Sequence, residues 1–235
     1  MPDLSTVDEE KLRAEWETRL GEKWLGVNES LVWVLLPERG YVGSVVAGKL
    51  SVPHEPTSAV RPWAGQFPKW PSPSTQVTSG QYLNDEWADD PSIMWWVTAD
   101  TVEHDAARFA DHLAPARGHA LLALGTTRLA VVVEQGMLAA QEQAEDDGKG
   151  WFGRARSAAA QVQKAAEGLT SGTDAKVPVS YFEVPLTRIA DMDRCRPGRS
   201  VPTSDFLRVR FVDGSALLIR TIEAGSFAGK FNHAR

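Results

Sequence analysis

The C-terminal region contains a strand pattern interrupted by a tight-turn dipeptide. From residue 207 to residue 211, apolar residues alternate with arginines, which is the period of a strand that buries one face. The dipeptide Asp213-Gly214 can then supply the positive φ angles of a two-residue turn, and a second apolar run continues to residue 222. The sequence therefore predicts an antiparallel hairpin, with Arg208 and Arg210 on the same face of its first strand.

Strand patterns recur along most of the chain. A second hairpin is predicted where two threonines join the apolar runs 119–125 and 128–135. Further strands are predicted at residues 31–36, 41–52, 92–98, 179–186 and 187–195.

Two helices are predicted in addition to these strands. Thr6 and Glu9 have the spacing of a capping box, and an apolar stripe with a four-residue interval follows, ending near Gly21: Leu12, Trp16 and Leu20. A second helix is predicted at residues 101–113, with Asp100 and Glu103 at its start and Pro115 after its end. Helices mixed with strands of this kind indicate an α+β fold.

The stretch 53–91 is rich in proline and tryptophan. Its prolines predict irregular backbone, whereas disordered linkers are poor in aromatic residues. We therefore expect it to wrap the folded body. The chain of 235 residues is then divided into an N-terminal helix (1–26), an α+β region with this wrapping segment (27–118) and a C-terminal half (119–235), the last two forming one compact unit.

Charge and cysteine content limit the class of protein. The net charge of −6 disfavours nucleic acid as a partner, and Cys195, the single cysteine, cannot form an internal disulfide. The N-terminus is acidic rather than basic and apolar, and no run of eighteen apolar residues occurs. These features predict a cytoplasmic protein.

Residues 149–169 are predicted to form an amphipathic helix. At 100° per residue the apolar side chains fall on one side, with arginines, glutamines and lysine on the other. Three surfaces could bury the apolar stripe: the body of the protein itself, a protein partner or a second copy of the chain, and an anionic membrane. Binding of the helix to such a membrane would be weak. The residues that we expect to contact a partner here are Trp151, Phe152, Arg154, Arg156, Val162 and Leu169.

A second basic region lies between Arg188 and Arg220. It holds seven arginines and four aspartates, a net charge of +3. Most such faces are merely solvated. If Arg208 and Arg210 act together with the amphipathic helix, the partner is predicted to be acidic.

Three segments, in this order, resemble bacterial pleckstrin-homology-like domain proteins of actinobacterial type: GTTRLAVVV (125–133), FEVPLTRIADM (182–192) and FVDGS (211–215). The resemblance covers the C-terminal half only. It implies a strongly bent antiparallel sheet or partly open barrel, a closing C-terminal helix, and lipid or protein contact without catalytic residues. The chain departs from the pattern in two ways. Residues after Ile222 are few and contain glycines, so we expect the helix at the N-terminus or at 101–113 to close the barrel, and no basic turn matches the lipid-binding pocket.

Motifs for catalysis or metal binding are weak. His104 and His112 would lie about 12 Å apart on one helix face, too far to share an ion. Ser44 lacks the glycine spacing of a nucleophile elbow and is expected to be an ordinary strand residue. Cys195 lies among arginines that could lower its thiol pKa, but no base accompanies it. We therefore expect no catalytic residues, no metal and no cofactor.

The sequence favours a non-enzymatic cytosolic adaptor or scaffold that binds a protein partner through the amphipathic insertion. The alternative is a small-molecule-binding protein or hydrolase with a pocket in the Trp-rich region 61–96. A deep cavity containing His104, Asp85 or Glu86 beside Trp95 would favour this alternative.

Overall fold

The computed structural model describes residues 4–64, 70–139 and 173–234. The predicted helix 149–169 lies outside the described residues. The helices are α1 (Leu4–Lys23), α2 (Thr75–Thr78), α3 (Asp105–Leu113) and α4 (Ala224–Ala234). The strands are β1 (Leu31–Leu35), β2 (Tyr41–Val46), β3 (Lys49–Ser51), β4 (Ile93–Ala99), β5 (Leu121–Gly125), β6 (Arg128–Glu134), β7 (Pro178–Pro185), β8 (Ile189–Cys195), β9 (Phe206–Phe211) and β10 (Ala216–Arg220). The class is α+β, as predicted.

The strands form two sheets. The first is antiparallel with the order β1-β5-β6-β7, and the second has six strands in the order β3-β2-β4-β10-β9-β8. Both predicted hairpins are confirmed, since β5 pairs with β6 and β9 pairs with β10, with Gly214 at φ +87° in the second turn. Within the described residues the sheets do not close on each other, which matches a partly open barrel.

The six-stranded sheet differs from expectation near its β3 edge. The predicted strand 41–52 is in fact two strands, β2 and β3, which turn at Ala47 and Gly48 with φ angles of +51° and +73°. Alanine rarely adopts positive φ, so this turn carries no clear sequence signal. The strands β2 and β4 run parallel. A parallel pair requires a long connection that returns the chain to the starting edge of the sheet, and here that connection includes β3 and residues 52–92.

Strands β4, β5 and β6 are buried on both faces, which explains their continuous apolar runs, whereas the outer faces of β8 and β9 are partly exposed. Along β1, Trp33 and Leu35 enter the core between the sheets, whereas Val34 faces α1. The outer face of the four-stranded sheet is covered by α1 through Trp16, Leu20 and the following Trp24. The N-terminal helix is thus confirmed, although Leu12, predicted on the same stripe, is 43% exposed.

The Trp- and Pro-rich segment packs on the outer face of the six-stranded sheet around Trp96 of β4 and Phe206 of β9. Trp87 stacks on Trp96 of β4 with ring centroids 4.3 Å apart and planes 6° apart, and Tyr82 meets Trp96 edge-on. Val77 of α2 is buried in the same cluster. These described residues of the segment 53–91 therefore pack on the folded body.

The helix that joins the two sheets at the C-terminus is α4, which corrects the expectation that this end is too short for a closing helix. It contacts β1 of one sheet and β8 and β9 of the other. Phe227 and Phe231 are buried, and the Phe227 ring stacks on Trp33 at 4.9 Å. Burial of these rings stabilises the helix despite Gly225 and Gly229, since packing usually outweighs propensity.

Each sheet combines strands from both parts of the chain. The region 27–118 provides β1, which pairs with β5, and β4, which pairs with β10.

No helix among the described residues has both the length and the apolar character needed to span a bilayer.

Candidate functional site

A buried chain of three polar residues joins β2 to α3. Ser44 Oγ lies 2.7 Å from His54 Nδ1, and His54 Nε2 lies 2.9 Å from Asp111 Oδ1. Ser44, on β2, is 1% exposed, His54 is 5% exposed, and Asp111, on α3, is fully buried. These are the residue types of a serine-hydrolase triad, so their access and partners decide whether the site can be catalytic.

Asp111 also holds the chain that follows His54. Its carboxylate accepts hydrogen bonds from the backbone N–H and hydroxyl groups of Thr57 and Ser58, with the Thr57 and Ser58 nitrogens at 2.8 and 3.0 Å. Burial alone would raise the pKa of the Asp111 carboxyl. The hydrogen bonds from His54, Ser58 and Thr57 outweigh burial and hold this pKa below its usual value, so the group stays ionised.

The arrangement fits a structural clip and not a nucleophile. Ser44 lies inside a strand, whereas nucleophilic serines stand at exposed turns where an acyl group can reach them. Its hydroxyl is sealed beneath residues 51–58, and Asp111 is fully occupied by donors from that segment. Ser44 is predicted from the sequence to be an ordinary strand residue, and no local pattern indicates its contact with His54.

An open groove of about 680 Å³ lies beside the Trp- and Pro-rich segment. Tyr41 and Trp70 form aromatic walls, with ring centroids 6.0 Å apart and planes at 84°, and Tyr41 Oη donates to the Trp70 carbonyl. The remaining lining is Arg39, Gly40, Pro71, Ser72, Ser74, Gln76, Val77, Glu86, Asp89, Asp90, Pro91 and Ser92.

This groove meets the predicted pocket in region 61–96 only in part. Glu86 lines it, but His104 and Asp85 do not, and Trp95 is buried in the core between the sheets. The groove is lined mainly by apolar side chains and by acids that already have partners.

The acids of the groove hold the surrounding loops. Asp89 accepts the N–H groups of Arg199 and Ser200, and Asp90 accepts those of Ser74 and Ser92. Burial acts to raise the pKa of both carboxyls, but these hydrogen bonds outweigh it, so both pKa values lie below their usual range. Both groups are therefore ionised and engaged.

Arg208 and Arg210 are paired across the sheet. On the neighbouring strand β8, Asp193 receives two bonds from Arg208, at 2.5 and 2.9 Å, and Asp191 pairs with Arg210. These exposed pairs add little stability, but they neutralise the charges that were predicted to contact an acidic partner. Asp205 likewise pairs with Arg194 and Arg196.

The two histidines of the predicted helix 101–113 do not share a site. His104 is the residue before α3, and the ring of His112 stacks on Phe182 with centroids 4.8 Å apart. In the described ranges, no three His, Cys, Asp or Glu side chains are grouped as metal ligands would be. Burial raises the pKa of the Cys195 thiol despite nearby Arg208, which disfavours a reactive thiolate at this position.

The insertion that contains residues 149–169 leaves and re-enters the body at one end of the β6–β7 hairpin. Glu134 pairs with Pro178, the Gln135 N–H donates to the Val177 carbonyl at 2.9 Å, and Gly136 packs closely on Ala175. The outgoing chain is held through Ala139, whose N–H donates to Pro62 O and whose carbonyl accepts from Arg61 Nε. The predicted contact residues on the insertion lie outside the described part of the chain: Trp151, Phe152, Arg154, Arg156, Val162 and Leu169.

The chain matches no protein-family model, no curated protein and no solved structure.

Proposed function

We propose that this protein is a non-enzymatic cytoplasmic adaptor that binds a protein partner through residues 140–172, carried on a pleckstrin-homology-like body. The observation that carries the proposal is the geometry of the insertion's two ends. Both ends meet at one hairpin, where Glu134 pairs with Pro178 and Gln135 bonds Val177. The sheet register is therefore complete without the segment between them.

The element order supports the proposed type of body. The four strands of the first sheet are followed along the chain by three antiparallel strands, β8 to β10, and then by α4, which contacts both sheets. Residues 41–113 would be an addition between β1 and β5 that extends the second sheet by β2, β3 and β4. Domains that share a fold can carry different binding sites, so the fold alone does not identify the partner.

The buried Ser44–His54–Asp111 clip supports a non-enzymatic role. A hydrolase needs its nucleophile within reach of a substrate, and Ser44 is 1% exposed. The hydroxyl and imidazole instead hold residues 51–58 against α3.

The composition of residues 149–169 indicates the chemistry of the partner. The apolar side chains of the insertion would pack into an apolar groove or against a helix of the partner: Trp151, Phe152, Val162 and Leu169. Arg154 and Arg156 would set the orientation of the bound partner. Because Arg208 and Arg210 are paired with aspartates, the positive charge offered to a partner comes chiefly from the insertion. A second copy of the chain and an anionic membrane are the alternative covers.

Replacing residues 140–172 by a short Gly-Ser linker is expected to leave the fold intact and to abolish partner capture. The free energy of unfolding should change by less than about 1 kcal/mol, because loop-closure cost varies slowly with length. Urea unfolding measures this, and capture from a lysate of the source cells, with the full chain as bait, measures binding. Analytical ultracentrifugation of the full chain and of the linker variant tests self-association. Co-sedimentation with vesicles that contain anionic lipid tests membrane contact. Unchanged capture by the linker variant would contradict the proposal.

A small-molecule-binding role is a second candidate, favoured by the groove beside Tyr41 and Trp70. Its volume of about 680 Å³ falls in the range of ligand pockets. The hydrolase form of this alternative lacks support, because Ser44 does not line the groove and is sealed in the body.

A further inference from the structure

We propose that the groove lined by Tyr41 and Trp70 binds an extended, uncharged, proline-containing peptide segment of a protein partner. This inference deepens the adaptor function and rests on it, but it concerns a groove lined by residues outside 140–172. Four features of the groove support it: its aromatic walls, the paired main chain around it, the engagement of its acids and the apolar residues next to it.

The walls fit flat, rigid rings. Tyr41 and Trp70 stand nearly perpendicular, at 84°, and Pro71, Val77 and Pro91 complete an apolar slot. Aromatic-lined grooves of this type bind polyproline segments by packing pyrrolidine rings against the aromatic faces. One side of Tyr41 is already occupied by the Arg117 guanidinium, 5.3 Å from the ring centroid, which helps to fix the orientation of the Tyr41 ring.

The main chain beside the groove is already paired, which disfavours binding by strand addition. The Tyr41 N–H donates to the Ser92 carbonyl at 2.7 Å, and the Val42 carbonyl accepts from the His54 N–H at 2.7 Å. A flexible peptide would lose about 1–2 kcal/mol of backbone entropy per residue without gaining a hydrogen-bond ladder. A polyproline segment is already extended and loses much less, so the groove selects it.

The charges around the groove favour an uncharged occupant. Asp89 and Asp90 accept backbone N–H groups, and Glu86 pairs with Arg199 at 3.2 Å. A cationic ligand would compete with these internal donors, and an anionic ligand would face three carboxylates. Arg39 lies exposed at the rim, where it can donate to peptide carbonyls.

Two exposed apolar residues extend the surface beyond the groove. Leu83 is 63% exposed and its N–H bonds Glu86, while Val201 is 96% exposed and follows Ser200, which bonds Asp89. Both side chains are therefore accessible to a bound segment that continues past the groove.

A labelled decaproline peptide tests the proposal by fluorescence anisotropy with the full chain. Saturable binding is expected, and a Gly-Ser peptide of equal length should not bind. Trp70→Ala should weaken decaproline binding at least tenfold, which corresponds to about 1.4 kcal/mol. Val27→Ala, an exposed apolar site outside the groove lining, should bind like the unmodified chain.

Two further measurements keep the outcome clear. The circular-dichroism couplet of the stacked Trp87 and Trp96 rings reports whether Trp70→Ala leaves the wrapping segment folded. If the Trp70→Ala variant does not keep this segment folded, the test uses the unmodified chain instead. Its NMR amide chemical shifts at Gly40 and Ser92 must then change when decaproline is added. The linker variant should bind decaproline normally even if it loses the adaptor's partner. No binding of decaproline, equal binding of the Gly-Ser peptide, or unchanged affinity of a folded Trp70→Ala variant would overturn the inference.

Discussion

Replacing Asp111 by alanine is expected to destabilise the protein by about 3–5 kcal/mol, because Asp111 accepts several hydrogen bonds and a hydrogen bond to a charged group contributes about 1.5–3 kcal/mol. The change leaves the buried His54 Nε2 without its acceptor and also removes the acceptor of the Thr57 and Ser58 donors, which belong to exposed residues. Residues 51–58 would then detach from α3. Urea unfolding followed by tryptophan fluorescence measures the loss.

A surface aspartate gives the matched control. Asp100 is exposed after β4, and Asp100→Ala should change the free energy of unfolding by less than about 0.5 kcal/mol. Equal effects at the two positions would contradict the clip.

The hydrogen bonds of the Ser44–His54–Asp111 clip also predict how the stability of the fold depends on pH. The folded-state pKa of Asp111 lies below its unfolded value of about 3.9, so its stabilisation is present above that value and is lost as the pH falls through the folded pKa. Asp111→Asn, which has no such proton equilibrium, should therefore lose less stability than the unmodified chain between about pH 5 and pH 2.

Deleting α4 is expected to abolish cooperative unfolding. Phe227 and Phe231 lie in the core between the sheets, with Ala224 and Ala228 beside them. Truncating one buried phenylalanine to alanine costs about 3–5 kcal/mol, so loss of both is comparable with the whole stability of a domain, about 5–15 kcal/mol. Loss of near-ultraviolet circular dichroism and of a sharp thermal transition would show the effect.

A shorter truncation separates packing from chain length. Removing residues 233–235 leaves both phenylalanines in place and takes only the exposed His233 and Ala234 among the described residues. The midpoint of thermal unfolding should stay within about 2–4 °C of the unmodified value, as for a change of about 1 kcal/mol in a chain of this size. A truncation of α4 that kept its sharp transition would show that α4 does not close the core.

Local signals predicted the elements that depend on local chemistry. The Asp213-Gly214 turn and the alternation before it specify the β9–β10 hairpin, and the stripe of Trp16 and Leu20 specifies α1. In contrast, α4 depends on the burial of Phe227 and Phe231 against strands distant in sequence, and its glycines concealed it.

The clip could not be predicted because its residues share no local spacing. Asp111 is 57 residues from His54, and His54 is 10 residues from Ser44. The paired arginines illustrate a similar limit. The net charge between Arg188 and Arg220 could be counted, but the register that sets Asp191 opposite Arg210 and Asp193 opposite Arg208 required the structure.

The most direct test of the adaptor account compares two sets of substitutions in residues 149–169 of the full chain. Trp151→Ala, Phe152→Ala and Val162→Ala remove anchors from the predicted apolar face, whereas Gln161→Ala and Gln163→Ala alter the polar face. The account predicts that the first set loses the captured partner and the second keeps it, with the same urea midpoint for both. Equal capture by both sets would contradict the account.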